Sequence, residues 1–198
     1  MLLTHLRPRP ALDYIYSVSG SGIGEAPSTD SIWLEGSKVS GGSALVIDEM
    51  DGAERAAIIS LWERCGLTRP WNDPVADVAL AERTESATVL VARREGRIVG
   101  AAMTGHDGHR GALYYLGVDP DERRGGVGRA LVEAAEAWCR ARGAPKLNLL
   151  VRNENQAVLA FYRALGYLPT DSISLYRTLD PERAERERAE KAAWAASR

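Results

Sequence analysis

Between Thr88 and Val118 the chain runs as three short stretches of β-branched and other apolar residues separated by turn residues. "TVLVAR" (Thr88 to Arg93) turns at Glu95-Gly96 into a second run, Arg97 to Gly105, and "HDGHRG" turns again into a third, Ala112 to Val118. β-Branched and apolar residues between short Gly- and Asp-containing turns form strands joined as hairpins. Three in succession make an antiparallel meander. A meander with apolar side chains on both faces needs helices to cover it.

Those helices can be read on either side. Ala44 to Asp48 fits a strand. Asp51 then begins a helix, with Glu54 three residues on as a capping box, and Ile58, Leu61 and Trp62 form its apolar stripe up to Cys65 and Gly66. "LTRPWNDP" is a loop, and Asp73 followed by Pro74 opens a second helix to about Arg83. After the meander, Val127, Leu131, Ala135 and Trp138 lie on one face of a helix that runs from about Gly128 to Arg142 and stops at Gly143. Lys146 to Val151 reads as a strand and Gln156 to Leu165 as a helix. Tyr167 and Ser172 to Thr178 read as closing strands. The expectation is an α/β protein, more closely an α+β mixed sheet with helices packed on it.

Residues 44–179 read as one domain. Residues 1–43 are rich in Ser and Gly without a sustained period and read as a flexible extension, with a short docked piece around Ile32 to Leu34. Residues 180–198 form a charged tail, either a solvated helix with i,i+4 Glu/Arg pairs or a frayed end.

Composition narrows the function by exclusion. The 198 residues carry a net charge of −2, so no global basic field draws nucleic acid or an anionic membrane. No apolar run reaches the roughly 18 residues of a membrane span, and "MLLTHLRPRPALDYIY" lacks the continuous apolar core of a signal peptide. Cys65 and Cys139 fit no metal or redox spacing and read as reduced thiols of a cytoplasmic protein. Any anion site must therefore be local.

One stretch supplies such a site. "DERRGGVGRAL" (Asp121 to Leu131) lies between the last meander strand and the Trp138 helix. A helix N-terminus presents unpaired N–H groups and a partial positive charge, and glycine lets the backbone come close to a ligand. Arg123, Arg124 and Arg129 add charge. The turn fits a di- or polyphosphate, or an ordinary glycine-rich connection. A P-loop reading is weakened because G-K-S/T is missing. A dinucleotide-binding reading is weakened, and with it a nucleotide-binding oxidoreductase disfavoured, because Leu131 occupies the third glycine's place and the preceding strand belongs to an antiparallel meander.

With these residues in view, the chain resembles the GCN5-related N-acetyltransferases (GNAT). "VDPDERRGGVGRAL" resembles the family's Q/R-x-x-G-x-G/A motif, with Arg123, Gly126 and Gly128 in place. "NQAVLAFYRALGY" resembles N-x-x-A/V-x-x-F/L-Y-x-x-x-G-F/Y, with Asn155, Tyr162, Gly166 and Tyr167 in place. The resemblance runs from about Ala44 to Thr178 and is greatest to the bacterial YpeA-type branch. Gly125 departs from it, since many relatives carry Arg or Lys there.

The resemblance implies a GNAT-like fold, a mostly antiparallel sheet in which two neighbouring parallel strands, here Ala112–Val118 and Lys146–Val151, splay apart. It implies acetyl-CoA as cosubstrate, no metal, and an amine acceptor. Leu116 and Val118 would pair through their main chain with the pantetheine arm. Arg123, Arg124, Gly125, Gly126, Val127, Gly128 and Arg129 would wrap the pyrophosphate. Asn155 would cap its helix and contact the cofactor arm, and Tyr162 would protonate the departing thiolate. A homodimer, common in the family, is compatible with the sequence.

The acceptor side is less determined. Trp62, Glu63, Trp71 and Asn72 could line an acceptor pocket or pack a loop. His106 and His109 could touch substrate or merely occupy the turn. Related N-terminal acetyltransferases place Glu where this chain has Leu150, so Glu63, His106, Asp107, His109 and a water relay all remain candidate bases. An alternative function is a catalytically silent acetyl-CoA-binding sensor, against which an intact Tyr162 argues.

Overall fold

The computed structural model describes residues 44–197. The expected extension, residues 1–43, lies outside the described residues. The elements in chain order are β1 (Leu45–Glu49), α1 (Arg55–Arg64), α2 (Pro74–Glu82), β2 (Ala87–Arg94), β3 (Arg97–His106), β4 (Gly111–Val118), α3 (Val127–Ala141), β5 (Leu147–Leu149), α4 (Gln156–Ala164) and α5 (Pro181–Ala196).

Local chemistry explains most boundaries. Asp51 accepts from the Ala53 N–H at 2.9 Å while Glu54 accepts from the Asp51 N–H at 3.0 Å, the expected capping box, which sets a short 3-10 turn ahead of α1. Asp73 accepts from Ala76 N at 3.0 Å, and Pro74 opens α2. Glu95 and Gly96 both take positive φ, 53° and 74°, which tightens the β2–β3 hairpin.

The five strands form one sheet in the order β1-β2-β3-β4-β5. The first three pairings are antiparallel and β4–β5 is parallel. Alternation along β2 divides the core in two. Val89 and Val91 point to Ile58, Leu61, Trp62 and Val78 of α1 and α2. Leu90 and Ala92 point to Leu131, Ala135 and Trp138 of α3, where Tyr162 of α4 also sits. A long α3 can lie close to the sheet because glycines face it: a Cβ at Gly100 would fall 2.9 Å from Leu131 and Val127, and one at Gly111 2.6 Å from the Cys139 sulfur. Trp138 fastens α3 to the far edge through Nε1 donating to Glu49 at 2.9 Å, with Arg142 stacked 3.6 Å over its ring.

Two expectations need correction. β5 spans Leu147–Leu149 rather than Lys146 to Val151, and Leu150 turns outward with 74% of its surface exposed. Tyr167 and Ser172 to Thr178 do not form closing strands. The alternation of Ile173 and Leu175 has no sheet edge against it, and Leu175 is 89% exposed. The polar members of that segment are engaged by α5 instead: Thr178 donates to Glu187 at 2.7 Å and Tyr176 accepts from Lys191 at 2.8 Å. The charged tail is thus a helix, with Lys191 and Glu187 paired at i,i+4.

Gly111→Ala should destabilise the fold by about 1–3 kcal/mol through overpacking against Cys139. The double variant Gly111→Ala/Cys139→Ala should recover part of that loss. Urea unfolding of the three proteins checks it. Equal stability of Gly111→Ala and wild type would contradict the close α3–β4 approach.

Candidate active site

The site begins where β4 leaves β5. Their pairing covers Gly111–Leu147, Ala112–Asn148 and Leu113–Leu149, and then stops, although β4 continues to Val118. The cause lies in β4. Ala101 faces Gly117 on the neighbouring strand and Met103 faces Tyr114, so β4 holds one extra residue between them. That residue pair includes Tyr115 at φ 51°, a left-handed conformation unusual for a large side chain. Such a bulge bends and twists its strand and re-aims side chains.

The bulge has two consequences. Leu116 and Val118 turn their side chains to the α3 face, with Leu149 and Val151 across the gap, and Tyr162 packs in the same cluster. Asp119 donates its N–H to Val99 of β3, so strand alternation turns the Val118 N–H to the opposite edge, toward the gap. The Val118 carbonyl accepts from Cys65 Sγ at 3.2 Å and Arg123 Nε at 3.4 Å. Burial pushes the Cys65 thiol up, which keeps it a donor.

The gap runs into the N-terminus of α3. Arg124 has φ 65° and Gly126, the residue at the helix cap, φ 82°; among the described residues no side chain caps α3. The first-turn amides of Val127, Gly128 and Arg129 are therefore left for an anion. Gly128 is partly buried, and a Cβ there would reach Phe161 and Val118 at 3.5 Å. Arg123, Arg124 and Arg129 are exposed around the turn, and Arg129 makes only a long contact, 3.8 Å, with Glu133. Glu122 ties the turn down by accepting from Arg94 and, at 2.5 Å, from Arg97 on the β2–β3 hairpin. Gly125 is partly buried, and a Cβ there would meet the Glu122 carbonyl at 3.2 Å.

Asn155 caps α4, accepting from Val158 N at 3.3 Å. Tyr162, about two helical turns further on, is 8% exposed and lies edge-on to Phe161 and Tyr167. Burial raises its phenol to about 12, so it carries its proton throughout the neutral range.

On the other face of the sheet a cleft of about 630 Å3 lies between α2 and β4, reaching Arg152 beyond β5. Tyr115 lies within it, stacked on Trp62 with ring centroids 4.6 Å apart and donating to Asp77 at 2.8 Å. Asn72 and Asp77 line it too. Burial and the Asp77 carboxylate hold the Tyr115 phenol far above its ordinary value. A second cleft of about 410 Å3 shares Tyr114 with the first and is lined by His106, Asp107 and Leu150.

The remaining expected acceptor residues scatter. Trp62 is fully buried, its Nε1 donating to Ala101 O at 3.4 Å, so it supports Tyr115 from beneath and offers no surface to a ligand. Trp71 packs edge-on to Trp194 of α5 at 6.0 Å. Glu63 is exposed on α1 and lines neither cleft. His109 is exposed in the turn, accepting from Arg110 Nε at 3.1 Å, and Asp107 holds that turn through His109 N and Arg110 N. His106 alone of the two histidines lines a cleft, its ring 6.0 Å from Trp138. Sequence reading missed Tyr115, Asp77 and Arg152. For Tyr115 a signal existed: Leu113 and Leu116 share the α3 face although three residues apart, a spacing that regular alternation forbids.

The acetyltransferase (GNAT) family model matches residues 47–167. The chain belongs to the GNAT family. An acetyltransferase of Pectobacterium atrosepticum is 47% identical over 127 residues, covering 64% of this chain and 90% of that protein. One of Sodalis glossinidius is 49% identical over 118 residues, covering 60% and 83%. Both fit the YpeA-type branch that the sequence resembles. The solved aminoglycoside N-acetyltransferase AAC(6')-Iy in complex with CoA superposes with a TM-score of 0.61 at 21% identity, over 72% of this chain and 100% of that one. This likeness establishes the GNAT fold, with its mixed sheet and parallel β4–β5 pair.

Tyr162 binds its proton more tightly folded than unfolded. Its contribution to stability is therefore complete below pH 10 and is lost as pH rises toward about 12. Unfolding free energy followed by urea titration should fall above pH 10, and less steeply in Tyr162→Phe. Identical slopes would show that the Tyr162 phenol is not desolvated.

Proposed function

We propose that this GNAT protein transfers the acetyl group of acetyl-CoA to a primary amine of a small molecule or peptide by direct attack. The observation that carries the reading is the unpaired gap between β4 and β5 running into the uncapped, glycine-lined N-terminus of α3, with a protonated tyrosine packed beside it.

The residues fit the cosubstrate on their own chemistry. The Val118 N–H facing the gap suits an amide-bearing arm, which can pair there as an added strand would. The first-turn amides of Val127, Gly128 and Arg129, with the positive φ of Arg124 and Gly126, suit a pyrophosphate. Arg123, Arg124 and Arg129 supply local positive charge to a chain whose net charge is −2. Leu116 and Asn155 would complete the binding surface, Leu116 beside Val118 on the gap and Asn155 at the head of α4.

Bound acetyl-CoA would supply a thioester whose carbon accepts the amine's lone pair as its C–S bond breaks, leaving a sulfur that needs a proton and an amide nitrogen that must lose one. Tyr162 holds the proton for the sulfur, and the nitrogen sheds its own proton to water in the cleft. A phenol raised to about 12 is fully protonated at neutral pH and is regenerated readily after giving its proton up. The amine enters from the Tyr115 face, where the cleft reaches both lips of the gap through Tyr114 and Arg152.

Isothermal titration should detect acetyl-CoA binding, and an amine panel followed by thiol release should detect turnover. No binding at millimolar acetyl-CoA would overturn the reading, and binding without turnover of any amine would favour a silent sensor. Tyr162→Phe should lower kcat by about a hundredfold while the acetyl-CoA Kd stays within a few-fold. Unchanged kcat would remove Tyr162 from the acid role.

A further inference from the structure

The cleft on the Tyr115 face carries two charged side chains, Asp77 from α2 and Arg152 from the segment after β5. Among the described residues neither is in an ion pair. Asp77 accepts one hydrogen bond, from Tyr115, through one carboxylate oxygen. Arg152 is exposed and, among the described residues, engages only through its carbonyl, which accepts from Asn155 N. Leu67, Leu80 and Met103 make the walls apolar.

We propose that the acceptor is a dipolar amine, one that bears a carboxylate as well as a primary amine, as an amino acid or short peptide does. The inference rests on the acetyl-transfer reading and specifies its acceptor. Asp77 meets the amine as it arrives in its ammonium form, which gives a proton to water in the open cleft before the neutral nitrogen attacks. Its position is fixed, because Tyr115 stacks on buried Trp62 and donates to it. Tyr115 engages one carboxylate oxygen, which leaves the other for the amine. Arg152 meets the carboxylate, to which a guanidinium can offer two parallel donors.

The alternatives fit the charges less well. A polycation would satisfy Asp77 but oppose Arg152 and also Arg183 of α5, whose positive charge is felt at Tyr115. An uncharged or monocationic amine would leave Arg152 without a partner. A carboxylate-bearing amine satisfies both ends of an apolar cleft of about 630 Å3, which is large enough for an amino acid or a short peptide.

The test begins with acetyl-CoA titration of the full chain, and absence of binding would overturn the acetyl-transfer reading itself. With binding established, kcat/KM is measured for glycine, alanine and alanyl-alanine, for their carboxamides, and for ethanolamine. The expected result is a preference of about tenfold for each carboxylate over its amide, reduced to about twofold or less by Arg152→Gln. Asp77→Asn, which keeps the acceptor oxygen for Tyr115, should raise KM for every amine and leave the acetyl-CoA Kd unchanged. Equal use of carboxylates and amides, a preference that survives Arg152→Gln, or no turnover of any carboxylate with acetyl-CoA bound would each overturn the inference.

Discussion

The single extra residue in β4 governs the candidate site. Parallel strands that pair along their whole length satisfy their backbone groups with each other, and a strand that leaves its partner exposes groups that are costly to bury unpaired. β4 accepts that cost after Leu113 because Tyr115 adopts a left-handed conformation and the register against β3 shifts. The compensation lies on the opposite face. Tyr115 stacks on Trp62 and donates to Asp77, contacts that a regular strand would have placed elsewhere. The bulge that opens the gap on one side thus builds the cleft on the other.

The rest of the fold holds this arrangement still. Gly100 and Gly111 let α3 lie against β3 and β4, and Trp138 ties its C-terminal half to Glu49 of β1. The N-terminal end of α3 is held through Glu122, which bridges to Arg94 and Arg97. Gly117 has the same importance on the other face, where a Cβ would meet Trp62 and Leu67 at 3.1 Å. A helix clamped at both ends can leave its first-turn amides uncapped, because packing rather than capping fixes its start. Such uncommitted groups on a rigid frame are what anion recognition requires.

Much of this was legible in the sequence wherever local chemistry decides structure. Asp51 with Glu54, Asp73 with Pro74, Glu95-Gly96 and Asn155 each do in the structure what their residue types dictate. The glycine turn ahead of α3 was legible for the same reason. Features set by partners distant in sequence were not. Trp62 read equally well as a pocket wall or a core residue, and only the arrival of Gly117 and Tyr115 above it decides for the core. Asp77 carries no local signal, because its bond to Tyr115 spans 38 positions. Ile173 and Leu175 alternate like a strand, but alternation specifies a face and not a partner, and no edge meets them.

The division of the core also bears on the chemistry. A reaction through a covalent acyl-enzyme would need a nucleophile at the gap, and the two cysteines are the natural candidates. Cys65 donates its thiol hydrogen to the Val118 carbonyl, and burial holds that hydrogen more tightly still. Cys139 is buried behind α3, in contact with Thr104 at 3.4 Å. Thiolate formation at Cys65 would break its contact with the Val118 carbonyl. What meets at the gap is a backbone edge with the Val118 N–H toward it and a protonated tyrosine on one face, and an open cleft lined by Asp77 and Arg152 on the other. That juxtaposition fits the proposed direct transfer between two bound substrates, with the gap between β4 and β5 as its proposed meeting point.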